Sequence, residues 1–138
     1  MKYFTLKELT NSSTATAKGI ENKPGLIEEA NLINLVTHIL DPLREAYGKP
    51  ITVTSGFRSK ALNQALGGAA SSQHMKGQAA DITGGSRKEN RKLFDLIQKL
   101  KLPYDQLIFE KGSVKEGPDW VHVSFNPERN RSQILYLL

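Results

Sequence analysis

Two of the three histidines in the chain stand where a metal ion would need them. His74 is followed by Asp81, and His122 lies about forty residues further on. Two neutral imidazoles and one carboxylate form a donor set typical of hydrolytic zinc sites. This set leaves the ion with a formal charge of about +1, enough to lower the pKa of a bound water from 15.7 toward roughly 7. The pattern therefore predicts one zinc ion that generates hydroxide at neutral pH.

Two further side chains can complete such a centre. Asp119 comes three residues before His122 and is a candidate general base. This role requires the backbone to bend between the two residues, because strict strand alternation would point the Asp119 side chain away from the metal. Gly117 and Pro118 favour such a bend, and the alternative is an aspartate that only initiates a turn. Arg58 follows a predicted strand and can hold a substrate carboxylate or stabilise an oxyanion, although an isolated turn arginine is usually a surface residue.

Short strands must position the two later ligands. In the predicted strand Trp120 to Phe125, alternate apolar residues face the core, which points His122 outward into a cleft. The same alternation places Asp81 on the open face of a short strand beside it. Gly77 permits the tight turn that must precede that strand.

The remaining pattern places helices early in the chain and strands late. Helices are predicted over Leu26 to Tyr47, Ala61 to Leu66, and from a capping box of Ser86 and Glu89 to a point before Pro103. Strands are predicted at 51–54, 106–109 and 133–137, and a polar loop at 11–18. This order favours an α+β fold, a small antiparallel sheet with helices packed on one side. His38, on the longest helix, is interpreted as a surface residue without chemistry.

Composition limits the class of protein. A chain of 138 residues with 38% hydrophobic residues predicts one domain over 1–138 with a single core. Cysteine is absent, which excludes thiolate metal sites and disulfides. The charged residues Lys2, Lys7 and Glu8 interrupt any secretion signal, and no segment has the roughly twenty apolar residues of a membrane span. We expect a monomer without a membrane partner, cytoplasmic at synthesis.

The net charge of +5 predicts at most a weak attraction to polyanions. The cations are scattered, which favours a solvated surface, and nucleic acid and an anionic cell wall are the two alternatives. Because neither a helix-turn-helix nor an aromatic RNA-binding motif is present, we expect no nucleic-acid partner.

Several separated motifs together resemble a known family. They are Ser55-Gly56-Phe57-Arg58-Ser59, Ser72-x-His74-x-x-Gly77-x-Ala79-x-Asp81 and Trp120-Val121-His122-Val123-Ser124, preceded by the opening Phe4-Thr5-Leu6-Lys7-Glu8-Leu9. In these segments the chain resembles the zinc peptidases of the M15 family, the group of D-alanyl-D-alanine carboxypeptidases and phage endolysins, and its opening is similar to the small phage-type branch.

The resemblance implies a compact α+β fold shared with the hedgehog signalling domain, and one catalytic zinc ion per chain. It also implies hydrolysis of peptide bonds in peptidoglycan stem peptides, by either a carboxypeptidase or an endopeptidase. The expected lack of a secretion signal fits a phage or prophage lysin that is released to the cell wall and equally a cytoplasmic recycling enzyme. A zinc-binding or cell-wall-binding module of the same fold, without catalysis, is the alternative.

The resemblance also implies roles for individual residues. His74, Asp81 and His122 match the zinc ligands of the family. Asp119 matches the position of its catalytic acidic residue, and Arg58 matches an arginine that contacts substrate. A supporting shell is expected from Ser72, Trp120 and Ser124.

Overall fold

The computed structural model describes residues 1–138 and has an α+β architecture. Its helices are α1 (Leu6–Thr10), α2 (Ser13–Lys18), α3 (Leu26–Leu35), α4 (Asp41–Tyr47), α5 (Lys60–Ala65) and α6 (Arg87–Lys99). Its strands are β1 (Thr52–Ser55), β2 (Ala79–Thr83), β3 (Gln106–Glu110), β4 (Trp120–Ser124) and β5 (Gln133–Leu137). None of the helices combines the length and the apolar character that crossing a bilayer requires.

The long helix predicted over Leu26 to Tyr47 is present as two α-helices joined without a break. A π-helical turn, Val36–Leu40, connects α3 to α4. Pro42 has no backbone N–H and cannot complete the regular pattern at this point. The wider turn accommodates it, since the N–H of Asp41 donates to the carbonyl of Val36, five residues back.

All five strands belong to one sheet, in the order β1-β2-β4-β3-β5. The first four strands pair antiparallel, as the sequence predicts, but β5 lies parallel to β3. β4 ends beside the start of β3, and the connection crosses this end of the sheet to start β5 there as well. This connection is fixed by Arg131, whose backbone N–H and guanidinium both donate to Asp105, at 2.9 Å.

One face of the sheet packs against the helices. The inward-facing strand residues are fully or almost fully buried with side chains of α3, α4 and α6; on the strands they are Ala80, Ile82, Leu107, Phe109, Val121 and Val123. The opposite face carries the alternate residues of β2, β3 and β4. Strand alternation therefore leaves one side of the sheet open for a site.

Three local predictions differ from the structure. The polar segment predicted as a loop at 11–18 contains α2, which begins because the hydroxyl of Ser12 accepts from the N–H of Ala15. The capping box of α6 is only half formed. The Ser86 hydroxyl accepts from the N–H of Glu89, but the Glu89 carboxylate is drawn away by Tyr47 and Lys49. The predicted helix at 61–66 lies one residue earlier, at Lys60–Ala65.

Candidate metal centre

The structure brings His74, Asp81 and His122 together on the open face of the sheet. One possible ligand atom from each of the three side chains lies within 4.8 Å of the others. Oδ1 of Asp81 is central, 3.4 Å from Nε2 of His74 and 3.0 Å from Nδ1 of His122. Side chains from distant parts of the sequence thus converge on one point.

Asp81 and His122 are placed by the pairing of β2 with β4. They are direct partners in the antiparallel register, with both side chains on the face away from the helices. Directly opposed residues in such a pair have Cβ atoms about 4.5–5.5 Å apart, which brings two short side chains into contact. The register of the sheet therefore sets the separation of these two candidate ligands.

His74 reaches the site from a 3₁₀ turn, Gln73–Lys76, outside the sheet. The Ser72 hydroxyl begins this turn by accepting from the N–H of His74 at 3.2 Å. The Nδ1 atom of His74 lies 2.8 Å from the carbonyl oxygen of Gly56, which can only accept. Nδ1 therefore carries the proton, and the lone pair of Nε2 is left free for a metal.

Two glycines allow the backbone around His74 to pack this closely. Gly77 ends the turn with a φ of +73°, and a Cβ there would lie 2.3 Å from the carbonyl oxygen of Glu28. A Cβ on Gly56 would lie 2.2 Å from the carbonyl oxygen of Leu9. Both separations are far below van der Waals contact, so only glycine fits at these two positions.

The three side chains fit a tetrahedral zinc ion. Zn–N and Zn–O bonds of about 2.0–2.2 Å place the ligand atoms of a tetrahedral site roughly 3.3 Å apart. The two separations that involve Oδ1 of Asp81, 3.0 and 3.4 Å, lie close to this value. Nitrogen and oxygen donors of this kind suit zinc, and three protein ligands leave a fourth position open.

Electrostatics keep Asp81 ionised. Burial acts to raise the pKa of this carboxyl, but the close contacts with His122 and His74 outweigh that effect and hold the pKa well below its usual value. The guanidinium of Arg58 adds a further positive charge, with one terminal nitrogen 3.4 Å from Oδ2 of Asp81. A permanently charged carboxylate is the form that binds a metal.

Arg58 is held rigidly beside the three side chains. Its Nε donates to the Ser55 hydroxyl at 3.0 Å, and a second terminal nitrogen donates to Oδ1 of Asn63 at 3.3 Å. Only 14% of its side chain is exposed. The structure thus brings Arg58 into the cleft, as the sequence pattern suggests.

The structure does not bring Asp119 into this group. Its carboxylate is 42% exposed and accepts from Nε of Arg87, at the start of α6, at 2.8 Å. The chain does bend at Asp119, the residue before β4 begins, but the Asp119 carboxylate lies against Arg87 and not in the cleft. The bend expected from the sequence is therefore present, and the role of Asp119 as general base stays a prediction.

A different carboxylate lies on the open face. Glu110, the last residue of β3, is the direct partner of Trp120 and a diagonal neighbour of His122. Diagonal neighbours lie about 7–8 Å apart, within reach of a long side chain. Burial, and then the charge of Asp81, raise the pKa of the Glu110 carboxyl. The alternation of buried Leu107 and Phe109 could have identified Glu110, but the predicted strand stops one residue before it.

The expected supporting residues have three different positions. Ser72 lines the cleft and starts the turn that carries His74. Trp120 also lines the cleft, and its indole N–H has no acceptor within the protein. Ser124 is fully buried at the far end of β4, where its hydroxyl accepts from the N–H of Gln106 at 3.0 Å, so it supports the sheet rather than the metal centre.

His38 lies outside the site. It is exposed on the π-helical turn, and its ring stacks on Phe125 with the centroids 4.7 Å apart. This position agrees with its interpretation as a surface residue. It therefore provides a histidine outside the metal centre for comparison with His122.

The candidate ligands line a cleft of about 660 Å³, a size typical of small-ligand and peptide sites. Glu110, Trp120 and Arg58 form other parts of its wall, and β5 contributes Leu137. The cleft is thus a depression in the open face of an α+β sheet, with a set of side chains suited to hold a metal ion.

Comparison with known proteins agrees with this class of site. The chain belongs to the peptidase M15 family, whose family model matches residues 2–124. A zinc D-Ala-D-Ala carboxypeptidase from Streptomyces albus G is 53% identical over 49 residues, which cover 35% of this chain and 19% of the relative. The chain thus matches about a fifth of that relative's length.

Proposed function

We propose that the protein is a zinc-dependent peptidase that hydrolyses peptide bonds in peptidoglycan stem peptides. The observation that carries this proposal is the convergence of His74, Asp81 and His122 in an open cleft. Membership of the peptidase M15 family and the similarity to a zinc D-Ala-D-Ala carboxypeptidase support the choice of metal and substrate. One zinc ion per chain is expected, because the three side chains define a single site.

Zinc, when bound, supplies a Lewis acid that activates water and polarises a carbonyl oxygen. The protein's own contribution begins with His74, whose protonated Nδ1 is fixed by Gly56 so that Nε2 points to the ion. Asp81 contributes a carboxylate that stays charged, and His122 contributes Nδ1. These three residues are the proposed metal ligands.

Glu110 is the proposed general base. It is the carboxylate on the open face that neither pairs with a cation nor belongs to the ligand set. Its raised pKa brings its proton affinity closer to what a base needs at neutral pH. We propose that a Glu110 carboxylate oxygen takes a proton from the attacking water and returns it to the leaving amine. Asp119, which the family pattern suggests for this role, is instead proposed to stabilise the start of α6 through Arg87.

Arg58 is proposed to stabilise negative charge on the substrate. Ser55, Asn63 and Asp81 fix its guanidinium, so little reorganisation is needed when charge develops on a carbonyl oxygen or when a terminal carboxylate binds. The planar guanidinium of Arg58 can donate two parallel hydrogen bonds to a carboxylate, and it can also donate to a negatively charged carbonyl oxygen. Carboxypeptidase and endopeptidase activity are both compatible with this arrangement, and product analysis separates them.

The test is mass spectrometry of purified peptidoglycan fragments incubated with the zinc-loaded protein. We expect shortened stem peptides, and their masses identify the bond that is cut. Chelator-treated protein and a His122→Ala variant are the controls, and neither should produce fragments. Binding of one equivalent of zinc without any cleavage would favour the alternative, a non-catalytic module of the same fold.

A further inference from the structure

A second polar depression adjoins the metal cleft and has no role in the proposed chemistry. It has a volume of about 360 Å³ and no hydrophobic residue in its lining. Ser71, Gln73 and Arg131 line both depressions, so the two are continuous. We call this depression the basic basin and define it by Lys76, Gln78, Arg129 and Arg131.

The basin carries a net positive charge. Its lining includes three cations, Lys76, Arg129 and Arg131, and one carboxylate, Asp105. Asp105 is held by Arg131 through bonds of 2.9 Å, whereas Lys76 and Arg129 form no ion pair. The side chains of Lys76 and Arg129 are therefore available to bind an anion. Arg58, in contrast, is already engaged by three partners within the protein.

A buried amide adds a hydrogen-bond donor to the two free cations. Gln78 is 9% exposed, and its Oε1 accepts from the side chain of Gln73 at 3.2 Å. The amide nitrogen of Gln78 donates to no protein atom and is accessible at the basin. A carboxylate in the basin would accept from this amide.

The loop that carries Arg129 is already ordered. The side chain of Asn130 accepts from the N–H of Asn126 at 2.8 Å and donates to its carbonyl at 3.0 Å, and the Asn126 side chain accepts from the N–H of Glu128 at 3.0 Å. These bonds close the turn on itself. A ligand that meets Arg129 therefore does not have to order the backbone, which lowers the cost of binding.

We propose that the basic basin binds a carboxylate of an acidic peptide whose scissile bond lies in the adjoining metal cleft. This inference rests on the proposed peptidase function and specifies its substrate as a peptide with a free carboxylate apart from the scissile bond. A phosphate-rich wall polymer fits less well. The next stretch of the groove, beyond Lys76, is lined by Glu28 and Glu128, which repel a continuous polyanion.

The test measures binding without turnover. Isothermal titration calorimetry with metal-free protein compares a stem pentapeptide that has free carboxylates with the same peptide fully amidated. The variant is Lys76→Gln combined with Arg129→Gln. The control is Lys99→Gln, which removes an exposed charge from the end of α6, away from the open face.

We expect the double variant to bind the acidic peptide about three- to tenfold more weakly, with little change for the amidated peptide. Lys99→Gln should leave both affinities unchanged. Equal weakening for both peptides, or no weakening, would overturn the proposal. So would a double variant that loses affinity for purified teichoic acid but not for the acidic peptide.

A parallel assay separates this inference from the proposed function. Zinc-loaded wild-type protein is incubated with the same pentapeptide, and the masses of the products are measured by mass spectrometry. If no bond is cut while binding still depends on the carboxylates and the basin, the peptidase proposal fails and the basin remains an acidic-peptide site. If the peptide is cut but the basin variants bind normally, only the basin proposal fails.

Discussion

Oδ1 of Asp81 lies 3.0 Å from Nδ1 of His122, and the two residues face each other directly across β2 and β4. Their separation is a property of the sheet register, because a slip of one residue would turn either side chain to the helix side. Two of the three candidate ligands are therefore positioned by the sheet, and only His74 depends on a turn outside it.

Removing a candidate ligand should remove the metal. His122→Ala leaves two protein ligands, too few for a stable zinc site, so we expect loss of both bound zinc and muropeptide cleavage. Metal analysis after dialysis measures the first, and product masses measure the second. His38→Ala, which removes an exposed histidine, should retain both. Full zinc content in the His122→Ala protein would show that the site lies elsewhere.

Zinc should stabilise the folded protein. An ion that binds only the native state adds about 2.7 kcal/mol to the free energy of unfolding at a concentration a hundred times its Kd. We expect the melting temperature of chelator-treated protein to rise when zinc is added, and the shift to disappear in His122→Ala. The same shift in both proteins would contradict the assigned ligands.

Glu110 and Asp119 can be distinguished by paired substitutions. Glu110→Gln keeps the shape of the side chain but cannot accept a proton, so kcat should fall about 10²- to 10⁴-fold with zinc retained. Asp119→Asn should change kcat by no more than about twofold, since its carboxylate faces Arg87. Steady-state kinetics and metal content are the measurements. A large loss in Asp119→Asn with normal activity in Glu110→Gln would restore Asp119 as the base.

Arg58 should not be replaceable by lysine. An ammonium cannot maintain the separate contacts with Ser55, Asn63 and Asp81 that hold the guanidinium. We expect Arg58→Lys to lower kcat/KM by about 10²- to 10³-fold, as for loss of one oxyanion contact, with zinc still bound. Arg44→Lys, at a half-buried cation–aromatic contact with Tyr3 outside the cleft, is the control and should leave kcat/KM unchanged. Normal activity in Arg58→Lys would exclude the proposed role.

The Asp105–Arg131 pair should make stability depend on pH. Hydrogen bonds from Arg131 hold the pKa of the buried Asp105 carboxyl below its usual value. A lowered pKa in the folded state stabilises the protein above the unfolded-state pKa of about 3.9, and this contribution is lost as the pH falls. Asp105→Asn should therefore melt lower than wild type at pH 7, with the difference shrinking below about pH 4.

Thermal melts of both proteins from pH 7 to pH 3 measure this effect. Asp95→Asn, which changes an exposed carboxylate on α6, is the control. A difference between Asp105→Asn and wild type that stays constant down to pH 3 would show that the pair does not act through the charge of Asp105.

The sequence was sufficient to predict how most of the candidate ligands are placed. The alternation of buried and open positions in two short strands correctly predicted the orientation of Asp81 and His122, and Gly77 correctly indicated a tight turn after His74. The strand features depend on local geometry, because side chains in a strand alternate every two residues. The long helix over 26–47 was also predicted from a local pattern, the regular spacing of its apolar residues.

Most of the errors arose where contacts between residues distant in sequence determine the local structure. Asp119 was expected in the cleft, but its carboxylate pairs with Arg87, on a helix far away in the sequence. Glu110 was missed because β3 was predicted to end one residue too early, although the alternation of Leu107 and Phe109 continues to it. The parallel direction of β5 is a property of its pairing with β3, which no local pattern encodes.

The last strand also shapes the cleft, although it lies outside the family match. That match ends at residue 124, whereas Arg131 and Leu137 both border the space around the metal-binding side chains. The candidate metal ligands and this part of the cleft wall therefore lie on separate stretches of the chain. Substitutions within residues 125–137 would change the shape of the cleft and leave the three candidate ligands in place.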